Sequence, residues 1–340
     1  MKRVALIGVG KMGLSHLAIA NSLPDCEVVA LCDTSKILLT VLSRGLKANT
    51  YTDYQTMLVK EQIDAVIISV PNAFHYQVVK DCLNTGLHTF IEKPFTLSPE
   101  TSEELVALAS EKSLSLQVGY VNRFCDSFQY VRKFIETQAF GAVNNYKALM
   151  NGPVITEEHT SGWRNDYKKG GGCLNDYGPH CIDLVCFLFG TNFEVITAKL
   201  ESVFSSSVDD IVCANLEHDD HTKGELNINW SDNSVRKATN RVIIECEFAT
   251  ITVSKQEVDI ECCKDFPELN MQTGLNKKYI TDFNTDVSYY LRGEEFSRQL
   301  ATFIATIHGE KNDICDVHAA YKVDKTIYDI FAICGVNQNG

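Results

Sequence analysis

At 340 residues, with 45% hydrophobic and 22% charged positions, the chain has an ordinary soluble composition and the length for two domains with cores of their own. A formal net charge of -13 leaves no global basic field for nucleic acid or an anionic lipid surface, so neither is an expected partner. Glycines break the opening MKRVALIGVG before a signal-peptide core could form, the apolar run Leu184 to Phe189 is far short of a membrane span, and the thirteen cysteines are odd in number; the expectation is a cytoplasmic protein with reduced thiols and no metal site.

The first part of the chain alternates short apolar runs with amphipathic stretches. RVALIGVG, CEVVALCD, IDAVIISV, HTFIEKP and LSLQVG read as strands buried on both faces, with Gly13 to Leu23 and Glu100 to Lys112 as helices among them. That alternation predicts a doubly wound parallel sheet over residues 1–122. Gly8-Val9-Gly10-Lys11-Met12-Gly13 follows the first strand and opens a helix, and Asp33 ends the next strand, the context that a dinucleotide fingerprint requires. Gly8 permits the tight turn, Gly10 lets backbone approach a pyrophosphate, and Gly13 lets helix and strand pack closely. Gly8, Gly10, Lys11, Met12 and Gly13 are therefore expected at the cofactor. Asp33 would accept from ribose hydroxyls and repel a 2′-phosphate, which favours NAD over NADP; Lys36 pulls the other way, and Asp33 also suits the start of a helix near Ser35.

Two further segments leave strand ends at the edge where open α/β sheets bind ligands. VPNAFH, Val70 to His75, supplies Pro71, Asn72 and His75, and Glu92-Lys93-Pro94 follows HTFI. Pro71, Asn72, His75, Glu92 and Lys93 join the expected cofactor side, although His75 equally fits a helix start and a Lys-Pro pair fits a solvated loop.

Around Val121 the grammar changes. After a helix near Ser127 to Thr137 come longer strands, including IVCANLEH and GELNINW joined by the polar turn DDHTK, and two helices, Gly293 to His308 and Val317 to Cys334, close the chain. A second α/β domain over 123–340 is expected. The letters HDDH, His218 to His221, fall in the hairpin turn and read as turn residues more than as metal ligands. Lys168-Lys169 reads as solvated loop and Cys173 as small packing. Arg123, Trp163 and Arg164 suit a substrate wall, since guanidinium groups and an aromatic face fit sugars and phosphates, and they suit surface stacking as well. Within GGGCLNDYGPHCID, Gly170 to Asp183, a helix beginning at Tyr177 would put Asp176 at its mouth and His180 one turn in, both turned to one cleft. Gly170 to Gly172 would let main chain pass a ligand without a Cβ in the way.

The fingerprint, VPNAFH, Glu92-Lys93-Pro94, GYVNRF (Gly119 to Phe124) and the Asp176-to-His180 element, in this order, closely resemble the glucose-fructose oxidoreductase and inositol dehydrogenase (Gfo/Idh/MocA) family, over essentially the whole chain. The resemblance implies an N-terminal Rossmann domain and a C-terminal α/β domain with a large, mostly antiparallel open sheet. That sheet would carry the substrate face and join copies into a homodimer or homotetramer. The resemblance also implies NAD as cofactor, a sugar-like small-molecule substrate, and Lys93, Asp176 and His180 as the catalytic group, with Arg123, Trp163 and Arg164 beside the substrate.

The chemistry suits those residue types. Taking a hydride from a secondary alcohol requires a base for the hydroxyl proton, and His180 titrates in the right range. Lys93 can stabilise developing alkoxide charge and Asp176 can orient the imidazole; which of Lys93 and His180 first holds the proton stays open. The expected activity is an NAD-dependent oxidoreductase acting on a sugar, cyclitol or nucleotide-linked sugar. An NAD-dependent glycosidase, a ligand-sensing regulatory protein on the same scaffold and a reductase of non-sugar substrates are the alternatives.

Overall fold

A computed structural model describes residues 1–158, 160–283 and 286–336. Its contacts divide the chain into two compact units, one of Met1–Phe124 with Asp286–Tyr321 and one of Cys125–Thr285 with Lys322–Gly340. The second division thus does not run unbroken from 123 to 340.

In the first unit six strands, β1 (Lys2–Ile7), β2 (Cys26–Cys32), β3 (Asn49–Tyr51), β4 (Ala65–Ile68), β5 (His88–Ile91) and β6 (Leu116–Val118), alternate with α1 (Lys11–Ala20), α2 (Lys36–Ser43), α3 (Tyr54–Lys60), α4 (His75–Asn84) and α5 (Pro99–Glu111). The sheet is parallel throughout, in the order β3-β2-β1-β4-β5-β6. This is a Rossmann sheet, with the strand order reversing between β1 and β4. Strand β4, Ala-Val-Ile-Ile, is buried at every position, as a strand covered on both faces must be. The short edge strand β3 carries no such apolar run, and periodicity does not reveal it. Helix α9 (Glu294–Ile307) packs here too: its Leu300, Phe303, Ile304 and Ile307 join Val4, Leu6, Leu17, Ile67 and Phe90 in one core. Buried Gln117 anchors it, donating from Nε2 to the Gln299 carbonyl at 2.9 Å. The apolar stripe of α9 is what draws a late segment into the first unit.

The second unit is built on eight strands: β7 (Val143–Asn151), β8 (Phe193–Glu201), β9 (Ile211–His218), β10 (Lys223–Asn229), β11 (Thr239–Cys246), β12 (Ala249–Ser254), β13 (Glu257–Cys262) and β14 (Gly274–Tyr279). Their order is β14-β13-β12-β11-β7-β10-β9-β8, antiparallel except where β10 runs parallel to β7. Alternation along β7 buries Tyr146, Ala148 and Met150 and exposes Lys147, the mark of a sheet covered on one face. The helices of this unit include α6 (Asp126–Glu136), α7 (Cys173–Asp176) and α8 (Gly178–Phe189), and α10 (Val317–Ile333) follows α9 in the chain. Phe189 of α8 stacks on Tyr146, with ring centroids 4.0 Å apart. The β9–β10 hairpin turns at His221, whose φ is 68°. His218 points inward, its Nε2 2.8 Å from the Tyr146 hydroxyl, and burial lowers its pKa, while His221 is exposed.

All thirteen cysteines are free thiols. Among the described residues no helix is long and apolar enough to cross a membrane.

Candidate functional site

The carboxyl ends of the parallel strands gather most of the residues expected at the cofactor. The ladder continues just past the strand ends: Gly8 N–H donates to the Cys32 carbonyl, Ser69 to Ile7, Glu92 to Ile68 and Gly119 to Ile91. It thereby aligns the fingerprint turn, the Pro71-Asn72 turn, Glu92-Lys93 and Gly119 along one edge. Gly8 has φ +87°, and a Cβ there would meet the Ser69 carbonyl oxygen at 2.4 Å; a Cβ on Gly13 would sit 2.1 Å from the Gly8 oxygen. Those two glycines close the turn against β4 and α1. Gly10 differs, because a Cβ on it would meet nothing within 4 Å. Open space therefore fronts the amino end of α1, whose Gly10 cap makes no side-chain hydrogen bond and whose first turn holds no acidic residue.

A dinucleotide fits this edge. The unfilled space at Gly10, the uncapped amides of α1 and the carboxylate closing β2 are the features that a pyrophosphate and a ribose require. Asp33 accepts the Val9 N–H on Oδ2 at 2.9 Å and the Ser35 N–H on Oδ1 at 2.8 Å. It is fixed to the fingerprint turn itself, while Ser35 is the residue that caps α2. Lys11 and Lys36 are exposed and Met12 is half-buried.

Two residues of the expected cofactor side are turned inward instead. His75 starts α4 but is only 1% exposed, with Nδ1 2.7 Å from the Pro94 carbonyl and Nε2 3.0 Å from that of Val70; burial depresses its pKa despite both carbonyls. Backbone carbonyls face both ring nitrogens and the ring is buried, so a contact with cofactor is not what His75 provides. Glu92 folds beneath its own loop, its Oε1 2.7 Å from Nε2 of buried His16 on α1. Lys93 is half-buried.

In the second unit Asp176 and His180 stand out by exposure. From Gly171 to Leu188 every residue is buried except these two. Asp176 closes the one-turn helix α7 and His180 lies in the first turn of α8, which Tyr177 caps; the helix starts within one residue of the sequence expectation, and the break before it presents both. Arg164 comes to Asp176, with Nε 3.5 Å from Oδ2, and its guanidinium lies 4.4 Å over the ring of Trp163. Trp163 is 42% exposed. Arg123 does not form an open wall: it is buried, and Nη1 donates to the Ile314 carbonyl at 2.9 Å.

The glycine run also works differently from the expectation. A Cβ on Gly171 would fall 2.4 Å from the Arg164 carbonyl oxygen, and one on Gly172, where φ is +93°, 2.5 Å from Asp209 Oδ1. These glycines admit close passage of the chain's own 163–170 loop and Asp209, not of a ligand. Asp209 holds α7 in place, accepting the Leu174 N–H on Oδ2 at 2.7 Å while its carbonyl accepts the Cys173 N–H. Burial, above all, raises its pKa to about 6. Cys173 is wholly buried and its thiol is pushed far up by burial, which removes it as a nucleophile. His16 and Asp209 escape a sequence reading because neither lies in a spacing that carries meaning before the chain folds.

These features define a class: a nucleotide-binding Rossmann unit in one chain with an open-sheet α/β unit that displays an Asp/His pair. Residues 2–120 match the oxidoreductase family with an NAD-binding Rossmann fold, and residues 128–252 match the GFO/IDH/MocA C-terminal domain. The chain belongs to the Gfo/Idh/MocA family of NAD-binding oxidoreductases. An uncharacterised oxidoreductase of Schizosaccharomyces pombe is 31% identical over 59% of this chain and 55% of its own length. The inositol 2-dehydrogenase/D-chiro-inositol 3-dehydrogenase of Lactiplantibacillus plantarum is 24% identical over 84% of this chain and 77% of its own. For several curated relatives the matching region spans only about half of their length. A levoglucosan dehydrogenase solved with NADH and L-sorbose superposes with a TM-score of 0.85 at 19% identity, over 98% of this chain and 96% of that one, a likeness of fold.

Proposed function

We propose that the protein is an NAD-dependent dehydrogenase or reductase that moves a hydride between nicotinamide and a secondary alcohol or ketone of a sugar, cyclitol or nucleotide-linked sugar. The observation that carries this reading is the partial exposure of Asp176 and His180 in an otherwise buried stretch, in a chain whose other unit leaves open space at Gly10. Buried polar residues in a helical core need only satisfaction; an acid and an imidazole that reach the surface in part at a helix break can meet a substrate. Relatives named as inositol dehydrogenases, and a fold neighbour named as a UDP-N-acetylglucosamine 3-dehydrogenase, support the polyol class.

When bound, NAD supplies the hydride acceptor or donor. The Gly10 turn and the first amides of α1 hold its pyrophosphate, and Asp33 accepts from the adenosine ribose and disfavours a 2′-phosphate. Pro71 and Asn72 border the same strand edge. In the oxidising direction His180 takes the hydroxyl proton and Lys93 stabilises the oxygen as negative charge develops. Asp176 orients the reacting hydroxyl or the imidazole, and Arg164 sets the Asp176 carboxylate. Trp163 offers a ring face to an apolar sugar edge. Copies of the chain associate into a homodimer or homotetramer through the open face of the eight-stranded sheet.

The test is a screen of sugars and cyclitols with free NAD, read as NADH formed. Net reduction with at least one polyol is expected. Substrate cleavage without net NADH would replace this reading with the glycosidase, which returns its hydride, and ligand binding without turnover would replace it with a sensor.

A further inference from the structure

Both neighbours of Lys93 in the chain are gripped by imidazoles that reach no solvent. On the amino side, Glu92 bends its carboxylate inward, where Oε1 lies 2.7 Å from Nε2 of His16. Oε2 accepts the backbone N–H of Lys93 at 3.3 Å, and the carboxylate lies so close to Gly119 that a Cβ there would meet Oε2 at 3.3 Å. On the carboxyl side, Nδ1 of His75 lies 2.7 Å from the Pro94 carbonyl. His16 is 0% and His75 1% exposed.

The His16 contact has a direction. Nδ1 of His16 is buried and has no hydrogen-bond partner among the described residues, so a proton there would be left unsatisfied. The proton belongs on Nε2, and Nε2 donates to Glu92. The His16 ring stands edge-on to Phe90 of β5, centroids 5.2 Å apart, and Phe90 anchors the strand that delivers Glu92 and Lys93. His16 itself rides on α1, the helix that the fingerprint turn opens. A buried polar pair of this kind is poor value for stability, since apolar side chains of similar shape do as well or better. What it does supply is a fixed geometry.

We infer that His16, acting through Glu92, is a positioning residue for Lys93, tying the lysine's backbone to the dinucleotide-binding helix while His75 holds the opposite side of the same loop. The inference rests on the reading of Lys93 as the charge-stabilising group. Its consequence is that α1 and Lys93 move as one body, so that the geometry which seats a pyrophosphate also sets the lysine.

The test reads Lys93 directly and needs no substrate. The full-length protein, saturated with NADH, is labelled at trace level with acetic anhydride across a pH series, and the rate at Lys93 is read by mass spectrometry against distant lysines. His16→Leu is expected to change the Lys93 labelling rate at least threefold while the Kd for NADH stays within about threefold. His16→Gln, whose amide nitrogen can donate to Glu92 as Nε2 does, is expected to restore the rate to within twofold of wild type, a rescue that a merely space-filling role would not show. Should His16→Leu fail to fold, Glu92→Ala takes its place with the same expectation. An unchanged Lys93 rate in His16→Leu or its replacement, or a Gln variant displaced as far as Leu, overturns the inference. Failure of the proposed function shows separately, as unimpaired polyol turnover in Lys93→Ala.

Discussion

Asp209 offers the sharpest test of how the Asp176/His180 stretch is held. Its carboxylate is 1% exposed, accepts the Leu174 N–H on Oδ2, and has no hydrogen-bond partner on Oδ1 among the described residues. Burial raises its pKa from 3.8 to about 6, so the folded state holds a proton that the unfolded chain gives up. The sign follows from linkage: a carboxyl whose folded pKa is raised loses stability as pH rises from its unfolded value toward its folded value, and the loss is complete above the latter. A rise from 3.8 to about 6 corresponds to a full cost of about 3 kcal/mol, of which about 2 kcal/mol accrues between pH 4.5 and 7.5. Asp209→Asn removes the titration and retains an acceptor for Leu174. The stability of the variant relative to wild type should therefore improve by about 2 kcal/mol between pH 4.5 and 7.5, whatever constant cost the amide adds. Urea melts at the two pH values followed by tryptophan fluorescence isolate the effect, because both tryptophans, Trp163 and buried Trp230, belong to the second unit. A pH-dependent difference below about 0.5 kcal/mol would refute the reasoning.

Other outcomes follow from the same geometry. Asp33→Ala removes a carboxylate acceptor worth about 1.5–3 kcal/mol to a hydroxyl and should narrow the preference for NAD over NADP by roughly tenfold or more, measured as the two Kd values; equal affinities in the unmodified protein would contradict the role. Gly171→Ala places a Cβ 2.4 Å from a backbone oxygen and should destabilise the second unit by about 1–3 kcal/mol, whereas Gly10→Ala, with nothing within 4 Å, should leave the melt nearly unchanged and weaken NAD binding. Light scattering at micromolar concentration should give a dimer or tetramer, and a strict monomer would contradict assembly through the sheet.

The fold was legible where periodicity is strong. The buried strands β1, β2, β4, β5 and β6, the hairpin of β9 and β10, and helices α5, α6, α9 and α10 lie within a few residues of their sequence signals, because burial on two faces or one stripe leaves a repeating apolar pattern. Strand β3 is three residues long with Asn49 and Thr50 exposed, so it has no pattern to read. Helix α9 reads clearly as a helix, but membership of the first unit depends on which core its Phe303 enters, a long-range fact. At the candidate site the fingerprint glycines were legible because their spacing marks the turn between β1 and α1, although the Ser69 carbonyl that excludes a Cβ at Gly8 is a long-range neighbour. Arg123 and His75 were not: the letters suit a ligand, and only the folded chain places the Ile314, Pro94 and Val70 carbonyls against them. The triple glycine was misread for the same reason, since its close neighbours, Arg164 and Asp209, include a residue more than thirty positions away.

The central claim is that Lys93 and His180 carry the chemistry of an NAD-dependent oxidation, and the measurement that tests it most directly is steady-state NADH formation by Lys93→Ala and His180→Ala with the polyol that the wild type oxidises best. Both variants should fold and bind NAD within a few-fold of wild type, while kcat falls by roughly two to four orders of magnitude, the range for a positioned acid/base or charge-stabilising group. In wild type the rate should rise with pH through one group near neutrality, and in His180→Ala that limb should vanish or move. Near-wild-type turnover in both variants would contradict the account and leave the partly exposed Asp176/His180 pair a structural feature.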